Sequence, residues 1–372
     1  MSAVMLCSML LLSLLSAGAS GLTVSDSLEL PSGENKLTSL ALKGTTLYAG
    51  LNTEPGIIAR IDTKSMKSIG PSLRLAEGEN AIYSLIVVGK HLYAGLYTGP
   101  GKIVKIDTDD FSKVETLTLR QGENWITSLA ASGGFLYAGL RMFPGKIAKI
   151  DLETFKRTDL LELAPGENNI FSLAIKDRYL YANIAMRPGG VAKISLDTFR
   201  EVKSLRFKPE ENYGYAILIH NNVLFASLYS KPGGIVKMDL TTFEEIGSAT
   251  HFSQDEDNVW SLAIHQDSVY AGLETRPGMR AMMIRLDMEL NRKDTLRFDW
   301  EGGVYSIVPL EESLLCGLYS SPGRVVRVRA EAEPSYAFLL PLIATLVLFV
   351  TICVAFLVLR RMRSRKSSGS AE

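Results

Sequence analysis

Seven glutamates recur at near-regular intervals: Glu34, Glu79, Glu123, Glu167, Glu211, Glu256 and Glu301. The residue after each is Asn35, Asn80, Asn124, Asn168 and Asn212 in five copies, then Asp257 and Gly302. Carboxylates beside amide oxygens are hard donors of the kind calcium prefers. Gathered into one ring with neighbours about 8 Å apart, each carboxylate pair would repel by roughly 0.5 kcal/mol in water and about 2 kcal/mol at an effective dielectric of 20. Such a ring must be relieved in one of three ways: the glutamates turn aside to accept hydrogen bonds from the adjacent unit, a cation sits among them, or some of their pKa values rise. Uniform repetition favours the first, because a metal or catalytic site needs only a few ligands and differentiates them.

A second stretch, GPGKIVKID over residues 99–107, has the look of a phosphate-cradling loop. A nucleotide-binding P-loop needs G-x-x-x-x-G-K followed by Ser or Thr and a helix. Here Lys102 precedes Ile103 and a β-branched run, and the same words return at 54–62, 143–151, 231–239 and 321–329. The loop is therefore architecture, and nucleotide chemistry is excluded there.

The copies differ three residues before each Pro of this repeat, where the chain carries Asn52, Tyr97, Arg141, Ala185, Tyr229, Glu274 and Tyr319, and immediately before it, where stand Glu54, Gly99, Phe143, Arg187, Lys231, Arg276 and Ser321. Aromatic and cationic side chains are the anchors that binding surfaces favour. The candidate ligand-binding residues are accordingly Tyr97, Arg141, Phe143, Arg187, Tyr229, Lys231, Arg276 and Tyr319. Catalysis finds little support: no Cys-His or Ser-His-Asp spacing appears, and His91, His220 and His265 fall at turns remote from the glutamates. Cys316, the one cysteine outside the two apolar termini, reads as a buried thiol.

The elements that must position these residues are repeated. Seven Pro-Gly pairs begin at Pro55, Pro100, Pro144, Pro188, Pro232, Pro277 and Pro322. Eight residues before each comes a word of the LYAGL type, and eight further back one of the SLA type. Four short β-branched and aromatic runs per period of about 44 residues are the signature of a propeller blade. Pro followed by Gly suits the centre of a type II turn, and the Asp that ends each KID-type run (Asp62, Asp107, Asp151, Asp239, Asp287) suits an Asx cap of the next turn. The last unit lacks an outer strand, and LTVSDSLEL at 22–30 supplies it, which closes the ring without exposed edges. The expected fold is all-β, a seven-bladed β-propeller over residues 22–330 closed by its N-terminal strand, followed by one C-terminal transmembrane helix.

The two ends set the cellular context. Residues 1–19 read as a signal peptide closing on Ala17-Gly18-Ala19. Residues 331–336 read as a juxtamembrane linker, and residues 337–359 hold no charge and suffice to span a bilayer as a helix. The basic tail, 360–372, places the C-terminus in the cytoplasm. Of the 40 basic and 40 acidic residues, five basic and one acidic lie in that tail, which leaves 35 against 39 elsewhere and excludes a nucleic-acid binder. The expectation is a single-pass type I protein of the secretory pathway, at the plasma membrane.

The Leu-Tyr-Ala-Gly, Lys-Ile-Asp and Ser-Leu-Ala words resemble the YVTN and NHL-like seven-bladed propeller repeats over some 310 residues. That resemblance implies an interaction platform whose partner is an extracellular or lumenal protein, a glycan or a small ligand. The alternative resembles the calcium-dependent propeller hydrolases, which hold a metal with Glu, Asn and Asp in the channel. Under it the metal ligands come from Glu34, Glu79, Glu123, Glu167, Glu211, Glu256, Asp257 and Glu301, with calcium as the cofactor; under the leading reading there is none.

Overall fold

Alternating apolar residues in short runs, punctuated by Gly, Pro and Asp, can bury one face of a strand only against another sheet, and here seven small sheets do so around an axis. The computed structural model describes residues 21–274 and 278–330. The expected signal peptide, linker, membrane span and tail, together with Arg276, lie outside the described residues. Among the described residues no helix is long and apolar enough to cross a membrane.

Blade two shows the pattern: strand A (Ile82–Val88), B (His91–Leu96), C (Lys102–Asp107) and D (Lys113–Thr118), each antiparallel to the next. Strand A of each blade neighbours strand A of the next, and the ring closes from blade seven, strand A (Gly303–Pro309), back to blade one, strand A (Leu37–Lys43). Blade seven is completed by the N-terminal strand (Leu22–Glu29), which pairs along strand C (Arg324–Ala330) from Leu22↔Ala330 to Glu29↔Arg324. The ring is thus closed, as expected, by the N-terminal strand, which gives blade seven four strands like the others.

The core lies between blades. One cluster joins Ala41, Tyr48 and Ile58 of blade one to Ile82, Leu92 and Val104 of blade two. The Tyr of each Leu-Tyr-Ala word packs on the Phe that follows the C strand of the next blade: Tyr48 on Phe111, Tyr93 on Phe155, Tyr137 on Phe199 and Tyr181 on Phe243, with centroids 6.0, 5.7, 5.8 and 6.4 Å apart. Gly95 of the same word lies so close to its neighbours that an added Cβ would meet Ser84 Oγ at 2.5 Å and Ile126 Cγ2 at 2.6 Å. Where Asn183 takes this place in blade four, the partner position in blade five is Gly214, so the bulk has changed sides.

The type II turn expected at Pro-Gly does not form at six of the seven pairs. The bond before Pro is cis at Pro55, Pro100, Pro144, Pro188, Pro232 and Pro322, and none of the glycines after these six prolines has a positive φ. Glycine is required there by close approach instead. A Cβ on Gly101 would sit 3.2 Å from the Glu123 carbonyl, to which the Gly101 N–H donates at 2.8 Å. The Asx caps form as expected: Asp151 accepts from the Thr154 N–H at 2.7 Å and Asp62 from the Ser65 N–H at 2.7 Å.

Candidate functional site: the aromatic mouth of the channel

The Pro-Gly loops and the glutamate loops share one face, the top, where strand A begins and strand B ends. Each glutamate loop belongs to a joint between blades. The carbonyls of Glu34, Glu79, Glu123, Glu167, Glu211 and Glu256 accept from the Gly N–H of the preceding blade at 2.7–2.8 Å. The side chains of Glu79, Glu123, Glu167, Glu211 and Glu256 turn toward their own loop and the outermost strand of the blade they open, so these five do not form the expected ring at the channel mouth. Glu79 accepts from the Ala76 N–H (3.0 Å), Lys113 Nζ (2.6 Å) and Thr116 Oγ1 (2.7 Å). Glu256 accepts from the Ser253 N–H (3.0 Å) and from both terminal nitrogens of Arg292. Glu123 takes the Arg120 N–H (3.0 Å) and lies 3.4 Å from Arg157, and Glu211 takes the N–H groups of Lys208 and Ala249 at 3.1 and 3.2 Å. The donors come from the same loop and the same blade, where the sequence pointed to the adjacent one. Five of the seven are buried, Glu34 is half-buried, and Glu301 ends blade six, strand D (Arg292–Glu301), exposed. The Arg292 fork and the Ser253 N–H outweigh burial and hold the Glu256 carboxyl below its ordinary range. Glu167 has the weaker partner, Arg206 at 3.8 Å, and half-buried Glu201 beside it is pushed up by desolvation and by the Glu167 charge. Asp257 lies 3.8 Å from Lys231. Among the described residues no three His, Cys, Asp or Glu side chains are grouped to hold a metal ion.

The channel itself is built from strand A. Its serines bind blade to blade: Ser39 Oγ accepts from the Leu85 N–H (2.9 Å), Ser128 from Leu173 (3.0 Å), Ser172 from Ile217 (3.1 Å) and Ser306 from Leu40 (3.1 Å). The residue before this position in each blade also lines the channel: Thr38, Tyr83, Thr127, Phe171, Tyr215, Trp260 and Tyr305. Five of the seven are aromatic, and the sequence analysis missed them. Their signal is the position immediately before the SLA-type word, which is where the repeat varies between Thr and aromatic residues.

Around them stand the residues that end strand B. Their backbones are fixed by a left-handed residue at the head of each strand A: the Tyr97, Arg141 and Tyr229 N–H groups donate to the carbonyls of Ala81, Trp125 and Tyr213, whose φ values are 54°, 57° and 50°. The two sets stack into a crown. Tyr83 stacks on Tyr97 (4.5 Å), Phe171 on Tyr215 (4.4 Å), Trp260 on Tyr305 (3.8 Å) and Tyr305 on Tyr319 (4.2 Å), while Tyr215 lies 4.4 Å from Trp260. The Arg141 guanidinium sits over Phe171 (5.5 Å) and Tyr97 (5.9 Å), and donates to the Tyr97 hydroxyl. Glu274 accepts from Tyr305 Oη (2.8 Å), Asn258 Nδ2 (3.0 Å) and the Tyr229 hydroxyl. Between Arg141 and Trp260 these side chains leave a cavity of about 400 Å³.

Electrostatics keeps the phenols of the crown protonated at physiological pH. Burial, with neighbouring phenols, pushes the Tyr83 hydroxyl up to about 12, and burial followed by Glu274 raises Tyr229 and Tyr305. Burial raises Tyr215 further. All four remain phenols and hydrogen-bond donors. Of the residues singled out from sequence, Tyr97, Arg141, Tyr229 and Tyr319 meet in the crown. Phe143 (67% exposed), Arg187, which covers the Tyr213 ring at 4.9 Å, and Lys231 stand on the outer rim. The histidines His91, His220 and His265 lie at the A-to-B ends, on the opposite face.

Neither a protein-family model nor a curated protein matches the sequence. The chain is similar in fold to the computationally designed Ika8 protein, with 14% identity, a TM-score of 0.55, and coverage of 81% of this chain and 98% of that one. The likeness is one of fold alone.

Proposed function

We propose that this protein is a membrane-tethered recognition module that seats a small ligand, through a flat apolar ring, in the aromatic mouth of its propeller. One observation carries the reading: the positions that repeat uniformly are spent on joining blades, whereas the positions that vary converge on a single stacked aromatic crown around one cavity. Aromatic walls with a few placed polar groups are what small-molecule sites are made of, and the left-handed residues preorganise them before a ligand arrives. Kinship with the YVTN and NHL-like repeats belongs to this proposal, as does the tether. The chain leaves strand C of blade seven at Ala330, on the face opposite the crown, and about seven residues, spanning at most about 25 Å, lead to the apolar segment 337–359. The mouth then faces the lumen or the extracellular space.

The full chain in mild detergent, titrated with the nitroaromatic quencher 4-nitrobenzamide while tryptophan fluorescence is followed, tests the seat. Saturable quenching in the wild type, lost in Trp260→Leu with its melting temperature preserved, is the expected outcome. Linear, unsaturated quenching up to millimolar probe in both proteins would refute it.

A further inference from the structure

The crown contains a cation that the fold does not use. Arg157 and Arg292 face the carboxylates of Glu123 and Glu256, and Arg324 faces Glu29. Arg141 faces none within ion-pair distance among the described residues. Its one hydrogen bond to a side chain goes to the Tyr97 hydroxyl, and its flat face lies against two rings. A guanidinium laid on aromatic rings is held at fixed orientation and keeps its outward N–H groups free to pair with an oxyanion. Glu274, the one carboxylate in the crown, already accepts from Tyr229, Tyr305 and Asn258. Tyr83 and Tyr215 line the same cavity as Arg141, and neither hydroxyl donates a hydrogen bond to an acceptor among the described residues.

We infer that the mouth selects a small monoanion, a flat-ring carboxylate or similar oxyanion, whose charged group pairs with Arg141 and the neighbouring phenols while its ring lies toward Trp260. This rests on the proposed function and adds the charge of the ligand to it. A cationic guest, which aromatic cages commonly hold, is disfavoured here, because Arg141 repels it and Glu274 already has three donors. The cavity volume of about 400 Å³ suits a molecule with one or two rings.

Three probes of one shape separate the possibilities in the full chain: 4-nitrobenzoate, neutral 4-nitrobenzamide and cationic 4-nitrobenzylammonium, each followed by tryptophan quenching. The anion is expected to bind about tenfold more tightly than the amide, the cation more weakly than both, and the anion's advantage to shrink as salt rises. Arg141→Gln should bring the anion level with the amide, and Arg141→Lys should restore part of the difference; both are checked for an unchanged melting temperature. Equal binding of anion and amide in the wild type would overturn the charge assignment while leaving the aromatic seat standing. Absence of saturable binding by any of the three would remove both. An anion preference that survives in Arg141→Gln would overturn the assignment to Arg141.

Discussion

The joint at Glu256 permits a worked test of how the blades are held. The Glu256 side chain is 5% exposed and the Arg292 side chain 37%. Removing one member of a fully buried ion pair costs about 3–5 kcal/mol, because the other charge is stranded. An exposed pair contributes about 0–1 kcal/mol. With one carboxylate buried and the guanidinium partly wet, Arg292→Met, which keeps an apolar stem against Phe252, should cost about 2 kcal/mol at pH 7, or roughly 4 °C in melting temperature for a domain of this size. In the wild type the folded carboxyl lies below its unfolded range, so its contribution is present above about pH 4.5 and is lost as pH falls through the folded value. In the variant the carboxylate is buried without its cation, its pKa moves above the unfolded value, and the penalty is relieved by acidification. The deficit should therefore be largest at pH 7 and should shrink by pH 4. Urea unfolding at both pH values reads it. A variant as stable as the wild type at pH 7, or a deficit as large at pH 4, would refute the electrostatic account, the second outcome assigning the loss to packing on Phe252.

Gly95→Ala places a methyl group 2.6 Å from Ile126 Cγ2 of the next blade and should destabilise the ring by about 2 kcal/mol through overpacking; thermal melting decides, and an unchanged melting temperature would mean that the blades yield freely. For the full chain in intact cells, externally added protease should cut sites engineered beside Phe143 or Lys231 and spare sites engineered in the Asp-x-x-Thr-Phe turns, whereas the reverse pattern would sink the orientation proposed for the mouth.

What the sequence made legible follows from repetition. Blade number, strand order and the closing N-terminal strand could be read because each rests on words present seven times, and the period of about 44 residues leaves no other all-β arrangement with four strands per unit. The turn at Pro-Gly was misread because the pair is compatible with two turn families, and what chooses between them is a contact from elsewhere in the chain: the Glu carbonyl of the next blade, 2.7–2.8 Å from the Gly N–H. Half of the crown was legible from the variable ends of strand B. Tyr83, Phe171, Tyr215, Trp260 and Tyr305 were not, because a large aromatic residue inside a strand reads as core. Only the ring geometry shows that this position faces an axis where no opposite sheet exists to cover it.

That geometry explains why uniform and variable positions part company. A side chain at a blade joint meets similar surroundings in successive blades, so one solution can recur, and Glu79, Glu123, Glu211 and Glu256 show it by taking their donors locally. A side chain at the axis meets its six counterparts at once, and seven identical large residues would collide there. The channel therefore demands a mixture of sizes, met here by Thr38 and Thr127 among five aromatics, and a mixture breaks the symmetry. Tyr83, Thr127 and Phe171 belong to consecutive blades two, three and four. Arg141, which follows strand B of blade three, lies over both Tyr97 of blade two and Phe171 of blade four. The cavity and its unpaired cation thus lie where the steric requirement of closing the ring forces the repeat to differ from blade to blade.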